Sequence, residues 1–213
     1  SSKYNIYEVG MNKLGEINDL SKILKPNIGI ITNIGEAHLG NLGSVNNIAK
    51  AKSEIIKNIT KNGAIILNRD CRFYEKLKKI SKYNKLKILS FGSNVRSTIS
   101  YKILSLNIVQ IKLRNIIFKL KVINNNSNNI KNILVCFLVL NYLNLNINLA
   151  KTILKNIRSI RGRGNIIKID KNISIIDDSY NSNPVSLKKS ISEFHDFKTK
   201  KRKILVLGDM LEL

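Results

Sequence analysis

Four short stretches of this chain combine carboxylates, a histidine or a lysine with small neighbours, the residue types that handle an anionic, metal-carrying ligand. In Glu8-Val9-Gly10-Met11-Asn12, a carboxylate stands beside a glycine that lets a ligand approach, which suits a hard cation such as Mg²⁺. A lone Glu is also commonly a solvent-facing residue, and that reading competes. His38, one of two histidines, lies in the Gly-flanked stretch 32–40, where a ring nitrogen can meet a metal or a phosphate; a structural histidine is the alternative. In Ala49-Lys50-Ala51-Lys52-Ser53-Glu54, Lys50 and Glu54 have the i,i+4 spacing of a surface ion pair. Lys52 falls on a different face. Burial there would lower its pKa from about 10.4 and favour chemistry on the neutral amine. In Asp177-Asp178-Ser179-Tyr180-Asn181-Ser182-Asn183-Pro184, Asp178 either caps the following helix or steers the metal of an anionic cofactor.

The elements that must position these residues are legible as alternating strand and helix patterns, which predict βαβ units and a mostly parallel sheet. Strands are expected at 4–9, 28–32, 64–67 and 86–91, with 28–32 apolar enough to be covered on both faces. Helices are expected at 17–24, stopped by Lys25-Pro26, at 45–59 with Ser44 as N-cap, and at 72–81. All four chemical stretches would then follow a strand, the end at which such sheets bind ligands. Residues 99–123 alternate apolar and polar and predict an antiparallel meander. Helices follow at 129–142 and 147–157. Strands at 166–169 and 173–176, a helix from Pro184 to about 194, and a strand at 203–207 complete the pattern. A domain boundary is placed near residue 160.

Composition narrows the classes. Of 213 residues, 43% are hydrophobic and 24% charged, so a packed core is feasible. The net charge of +23 raises the possibility of nucleic-acid binding. The lysines are scattered, however, and no binding motif accompanies them, so nucleic acid is not the expected partner. Abundant Lys, Asn and Ile suggest compositional drift toward AT-rich codons. Cys71 and Cys136 show no metal or disulfide spacing. The longest apolar run, 133–140, is far shorter than the ~20 residues of a spanning helix. With no signal-peptide pattern at Ser1-Ser2-Lys3-Tyr4, a cytoplasmic protein without membrane insertion is expected. The lack of an initiator Met and the strand-like ends suggest a fragment.

Taken in order, the four stretches, together with Gly43-Ser44 and Val206-Leu207-Gly208-Asp209-Met210-Leu211-Glu212-Leu213, resemble the Mur ligases of peptidoglycan synthesis. Within them the pattern is most similar to the members that add D-alanyl-D-alanine. The resemblance covers nearly the whole chain, although the meander matches only in outline. It implies an α/β fold: a mostly parallel Rossmann-like ATPase sheet with an antiparallel β meander over 1–159, then the start of a second Rossmann-like domain over 160–213. It also implies an ATP-dependent, Mg²⁺-dependent ligase that joins D-alanyl-D-alanine to UDP-N-acetylmuramoyl-tripeptide, a cell-wall step serving cell shape and division, performed by a monomer. The substrate carboxylate attacks the γ-phosphate, and the resulting acyl phosphate is displaced by the incoming amine. By resemblance Glu8 ligates one Mg²⁺ and His38 a second, while Lys52, in preference to Lys50, matches the lysine that reacts with CO₂ to give a carbamate ligand. Asn129 matches an adenine-binding asparagine. Arg163 and Asp178 match residues that approach ATP from the C-terminal domain, and Tyr180, Asn181 and Asn183 are candidates for substrate contact.

The chain also departs from the family pattern. Asn125-Asn126-Ser127-Asn128-Asn129 replaces the family's Pro-Gly-Arg-His-Asn, and no Gly-x-x-Gly-Lys-Thr-like phosphate loop occurs. That loop supplies backbone N–H groups and a lysine to the phosphates, so these 213 residues alone are expected to be inactive. Two alternatives stay open: a decayed, non-catalytic remnant of the ligase, and a basic nucleic-acid binder.

Overall fold

The computed structural model describes residues 3–36, 39–105, 107–122, 127–148, 161–180, 184–197, 199 and 201–210. The first element is α1, Glu16–Leu24. It stops where Lys25 turns into the left-handed region (φ 43°) ahead of Pro26, whose ring disfavours a further helical residue before it. Then come β1 (Ile28–Ile31), the single turn α2 (Leu39–Leu42), and α3 (Val45–Ser53), continued by a 3₁₀ turn at Glu54–Asn58. Ser44 accepts from the Asn47 N–H at 3.1 Å, the N-cap its position predicts. β2 (Ala64–Asn68), α4 (Tyr74–Tyr83) and β3 (Lys87–Gly92) complete the alternating part.

Three strands follow: β4 (Ile99–Ser105), β5 (Ile108–Leu113) and β6 (Ile116–Lys121). β1, β2, β3 and β4 run parallel, and β5 and β6 add antiparallel, giving one six-stranded sheet in sequential order. The meander is therefore an extension of the main sheet, joined through Phe91 beside Ile99 and Gly92 beside Ser100.

Alternating side chains divide the core into two layers. Ile65 and Leu67 of β2 point to the side of α1, α3 and α4, packing with Ile17, Ile48, Ile56 and Leu77. Ala64 and Ile66 point to the opposite side, against α5 (Ser127–Tyr142). That helix buries Ile130, Leu134, Phe137 and Leu138, an i, i+4, i+7, i+8 stripe. Phe137 meets Phe118 of β6 edge-on, ring centres 5.4 Å apart. Covered on both faces, β2 is buried at all five positions.

The later residues form β7 (Asn165–Lys168) and β8 (Ser174–Asp177), an antiparallel pair, and α6 (Pro184–Asp196). Helix 147–157 lies outside the described residues beyond 148.

Three expectations are corrected. Residues 4–9 form no strand, and neither do 203–207. An apolar pattern supplies side chains that suit a sheet, but a strand exists only where a neighbouring backbone takes up its N–H and C=O groups. Among the described residues neither segment has such a neighbour, and Ile6 and Val206 stand 94% and 88% exposed. β1 is not covered on both faces either: Ile30 is exposed, because α5, the helix on that face, packs over β3 and β4.

Candidate functional site

The parallel register brings the C-terminal ends of β1, β2 and β3 side by side, with Ile31 beside Leu67 and Asn68 beside Phe91. The chain leaves this edge in three loops, 32–36, 69–73 and 93–98. In an open α/β sheet this is the edge where ligands bind.

Lys52 reaches that edge from α3. Its neighbours Ala49 and Ala51 are buried against the core, so the helix lies close to the sheet and the Lys52 stem is half-buried. Its Nζ donates to the Asn33 carbonyl at 2.8 Å, just past the end of β1. Burial pushes the Lys52 ammonium below the ordinary lysine value, and the nearby Cys71 thiol opposes this only in part. Lys50 is exposed. The Lys50–Glu54 surface pair is not formed. Glu54 instead turns to α1, accepting from Gly15 N–H at 2.9 Å and Asn18 N–H at 3.1 Å. A carboxylate at a helix N-terminus satisfies free amides and meets the positive end of the helix dipole.

Glu8 does not follow a strand, and its side chain is exposed. The stretch that carries it is nonetheless anchored: Met11 is buried and Val9 packs in the same cluster as Ile31, Ile34 and Leu42. Asn41 of α2 lies 3.5 Å from the Asn12 side chain. The backbone just after Glu8 and the helix after residue 38 thus meet near the end of β1. His38, Asn181 and Asn183 lie outside the described residues.

Asn129 is exposed in the first turn of α5. Two residues on, the Lys131 ammonium lies 2.9 Å from the Asp70 carboxylate, a pair that is about four-fifths buried on both sides. Asp70 also accepts from Ser93 N–H at 2.9 and 3.0 Å, Ser93 O–H at 3.1 Å and Asn94 N–H at 3.3 Å. Burial alone would raise the Asp70 carboxyl, but the Ser93 N–H, Lys131 and Ser93 O–H outweigh it and hold it below the ordinary carboxylate range. Asn68 donates to Thr32 O at 3.1 Å and accepts from Asp70 N–H at 3.0 Å. Asn68 and Asp70 are absent from the sequence-derived set. The rule that selects 32–40 and 177–184, polar residues directly after an apolar strand, selects them as well.

In the later unit, Arg163 and Tyr180 come together, the guanidinium 4.4 Å from the ring centre. Gly162 permits this: its φ is +78°, a Cβ there would meet Tyr180 at 2.9 Å, and its carbonyl accepts from Tyr180 N–H. Asp177 binds Ser179 through N–H and O–H, which lowers its carboxyl pKa. Asp178 accepts from the Ser190 hydroxyl of α6, while residues 181–183, which lead into that helix, lie outside the described residues.

Fold and edge together define a layered α/β domain whose ligand face is the C-terminal end of its parallel strands. The chain belongs to the Mur ligase family: residues 1–140 match the Mur ligase middle domain and residues 162–213 the Mur ligase, glutamate ligase domain. It is 36% identical to the UDP-N-acetylmuramoyl-tripeptide–D-alanyl-D-alanine ligase of Rickettsia prowazekii, across 100% of this chain and 48% of that one. For the ligase of the same name in Bacillus subtilis the figures are 32%, 98% and 45%. Among solved structures it superposes on MurF from Acinetobacter baumannii with a TM-score of 0.85 at 26% identity, covering 95% of this chain and 44% of that one. MurF from Thermotoga maritima in complex with ADP gives 0.75 at 25%, covering 91% and 44%. The chain spans about half the length of the curated relatives it matches. Neither nucleic-acid binding nor decay is favoured by these matches. No helix among the described residues is long and apolar enough to cross a membrane.

Proposed function

We propose that these residues serve an ATP-dependent ligase that adds D-alanyl-D-alanine to UDP-N-acetylmuramoyl-tripeptide, with 1–159 as the ATP-binding domain and 160–213 as the start of the C-terminal domain. The observation that carries this reading is the match to D-alanyl-D-alanine ligases along the whole chain. The activity is assigned to a polypeptide of those relatives' length that contains these residues.

In this reading the substrate carboxylate attacks the γ-phosphorus and ADP leaves. The amine of D-alanyl-D-alanine then attacks the acyl carbon, phosphate leaves, and the amine's proton passes to solvent or base. Both steps gather negative charge, so cations are needed at the edge of the sheet. Mg²⁺, when bound, screens the phosphate charge and polarises the P–O bonds under attack. Glu8, His38 and Lys52 are the residues assigned to hold it. Lys52 suits a carbamate: burial raises its neutral fraction, and only the neutral amine attacks CO₂. The product is an oxygen ligand, which a hard cation prefers to nitrogen. Asn129 reads adenine, while Arg163 and Asp178 approach ATP, and Tyr180, Asn181 and Asn183 contact substrate.

The test is phosphate release from ATP by the purified full-length polypeptide. Release that needs both UDP-N-acetylmuramoyl-tripeptide and D-alanyl-D-alanine supports the assignment. Release that is indifferent to D-alanyl-D-alanine, or its absence with both substrates present, contradicts it.

A further inference from the structure

The segments that carry Lys52 and Asn129 are far apart in sequence, yet one series of hydrogen bonds joins them. Lys52 Nζ donates to Asn33 O, and Asn68 Nδ2 donates to Thr32 O on the same loop. Asn68 Oδ1 takes the Asp70 N–H, and the Asp70 carboxylate takes Ser93 and Asn94 from the loop after β3 and Lys131 from the start of the second turn of α5. Two loops and one helix start therefore converge on Asn68 and Asp70. The backbone is shaped to this arrangement. Gly92 has φ +152°, and a Cβ there would stand 2.6 Å from Asp70 Oδ1, so only glycine lets the loop close on the carboxylate.

We propose that Asp70 is a positioning residue for nucleotide binding. Through Lys131 it fixes the first turn of α5, and with it Asn129, relative to the strand ends; through Asn68 it ties that turn to the loop that receives Lys52. A carboxylate suits this task because it accepts several N–H bonds and an ammonium at once, and ion-assisted bonds are shorter and stronger than neutral ones. With both side chains about four-fifths covered, the contact is screened less than a fully exposed ion pair. Removing Asp70 leaves Lys131 and the 93–94 amides unpaired and the start of α5 free to shift. Near-ångström displacement of a ligand contact is enough to weaken it.

The inference rests on the assignment of Asn129 to adenine, so the two are tested together in the full-length polypeptide, by steady-state kinetics with ATP and GTP. Asn129→Ala is expected to raise the KM for ATP about tenfold and to erode the preference for ATP over GTP, since about 1.4 kcal/mol, one hydrogen bond, is tenfold. Asp70→Asn and Lys131→Met are expected to do the same with kcat changed less than twofold, and Lys131→Arg, which keeps the charge, to restore most of the affinity. If Asn129→Ala raises KM while both Asp70→Asn and Lys131→Met leave it unchanged, the positioning role is overturned and the adenine assignment stands. If Asn129→Ala leaves both KM and base preference unchanged, the adenine assignment fails and the proposal with it. Equal loss in kcat with ATP and GTP, at unchanged KM, would mark Asp70 as merely structural and also overturn it. Lys131→Met guards against a folding defect in Asp70→Asn, because it leaves the carboxylate and its amide bonds in place.

Discussion

β2 and β8 are close in composition, Ala-Ile-Ile-Leu-Asn and Ser-Ile-Ile-Asp, yet β2 is buried at all five positions while every position of β8 is exposed or half-exposed. β2 lies between two parallel neighbours with α1, α3 and α4 on one face and α5 on the other; among the described residues β8 has a single antiparallel partner. Residues 203–207, as apolar as either, have no strand partner among the described residues. Isoleucine in a strand thus stabilises only in proportion to what covers it. The same contrast governs polar groups. Asp70 is held by two amides, a hydroxyl and an ammonium. Asp177, at the end of β8, is held by Ser179 through N–H and O–H and by Gly162 N–H, with no buried ion pair among the described residues.

The largest expected difference between the two regions is in packing. Leu134→Ala in α5 should lower unfolding stability by about 3–5 kcal/mol, because Leu134 is fully buried and its loss leaves a cavity. Ile175→Ala in β8 removes a side chain that is 48% exposed and should cost less than about 1 kcal/mol. Denaturant unfolding of both variants checks this, and equal costs would break the comparison. The next effect is electrostatic. Asp70→Asn should cost about 1–3 kcal/mol at neutral pH, the range for hydrogen bonds to a charged group. The native carboxyl pKa is lowered, so this stability is present above the unfolded value and disappears as pH falls through the folded one. A difference that persists in strong acid would mean the loss comes from packing instead. Tyr101, also within electrostatic reach of Asp70, has its pKa raised mainly by burial and stays neutral throughout that range.

The smallest effect has the opposite sign. Lys52 binds fewer protons folded than unfolded between its lowered pKa and its ordinary one, so its share of stability rises with pH across that window. Lys52→Met should therefore melt no lower than the parent at pH 7, by a margin below about 1 kcal/mol, with the gap closing above about pH 10.4. A Tm clearly below the parent at pH 7 would show that the bond to Asn33 O outweighs the cost of burial.

Much of this was legible in the sequence because it is local. The stop at Lys25-Pro26, the Ser44 cap, the stripe of α5 and the two β7–β8 segments follow from residue spacing alone. The preference for Lys52 over Lys50 comes from the family resemblance rather than from spacing, since both lysines have small neighbours. Residues 4–9 and 203–207 carry the same signal as β2, but pairing depends on a backbone distant in sequence, which no local pattern records. Glu54 read as a partner for Lys50 by spacing, while its actual donors, Gly15 and Asn18, lie nearly forty residues away. The role of Asp70 depends on four segments meeting, and its local setting, Asn68-Arg69-Asp70, suggests only a turn.

The central claim, that the half-buried lysine at the sheet edge is the one that serves the ligase reaction, is tested most directly by comparing Lys52→Ala with Lys50→Ala in the full-length polypeptide. The expected result is that Lys52→Ala loses at least about 10²-fold in kcat, the scale of a lost charge-stabilising group, and regains part of it with added acetate, while Lys50→Ala turns over like the parent. Unchanged turnover in Lys52→Ala, or equal losses in the two variants, would contradict it.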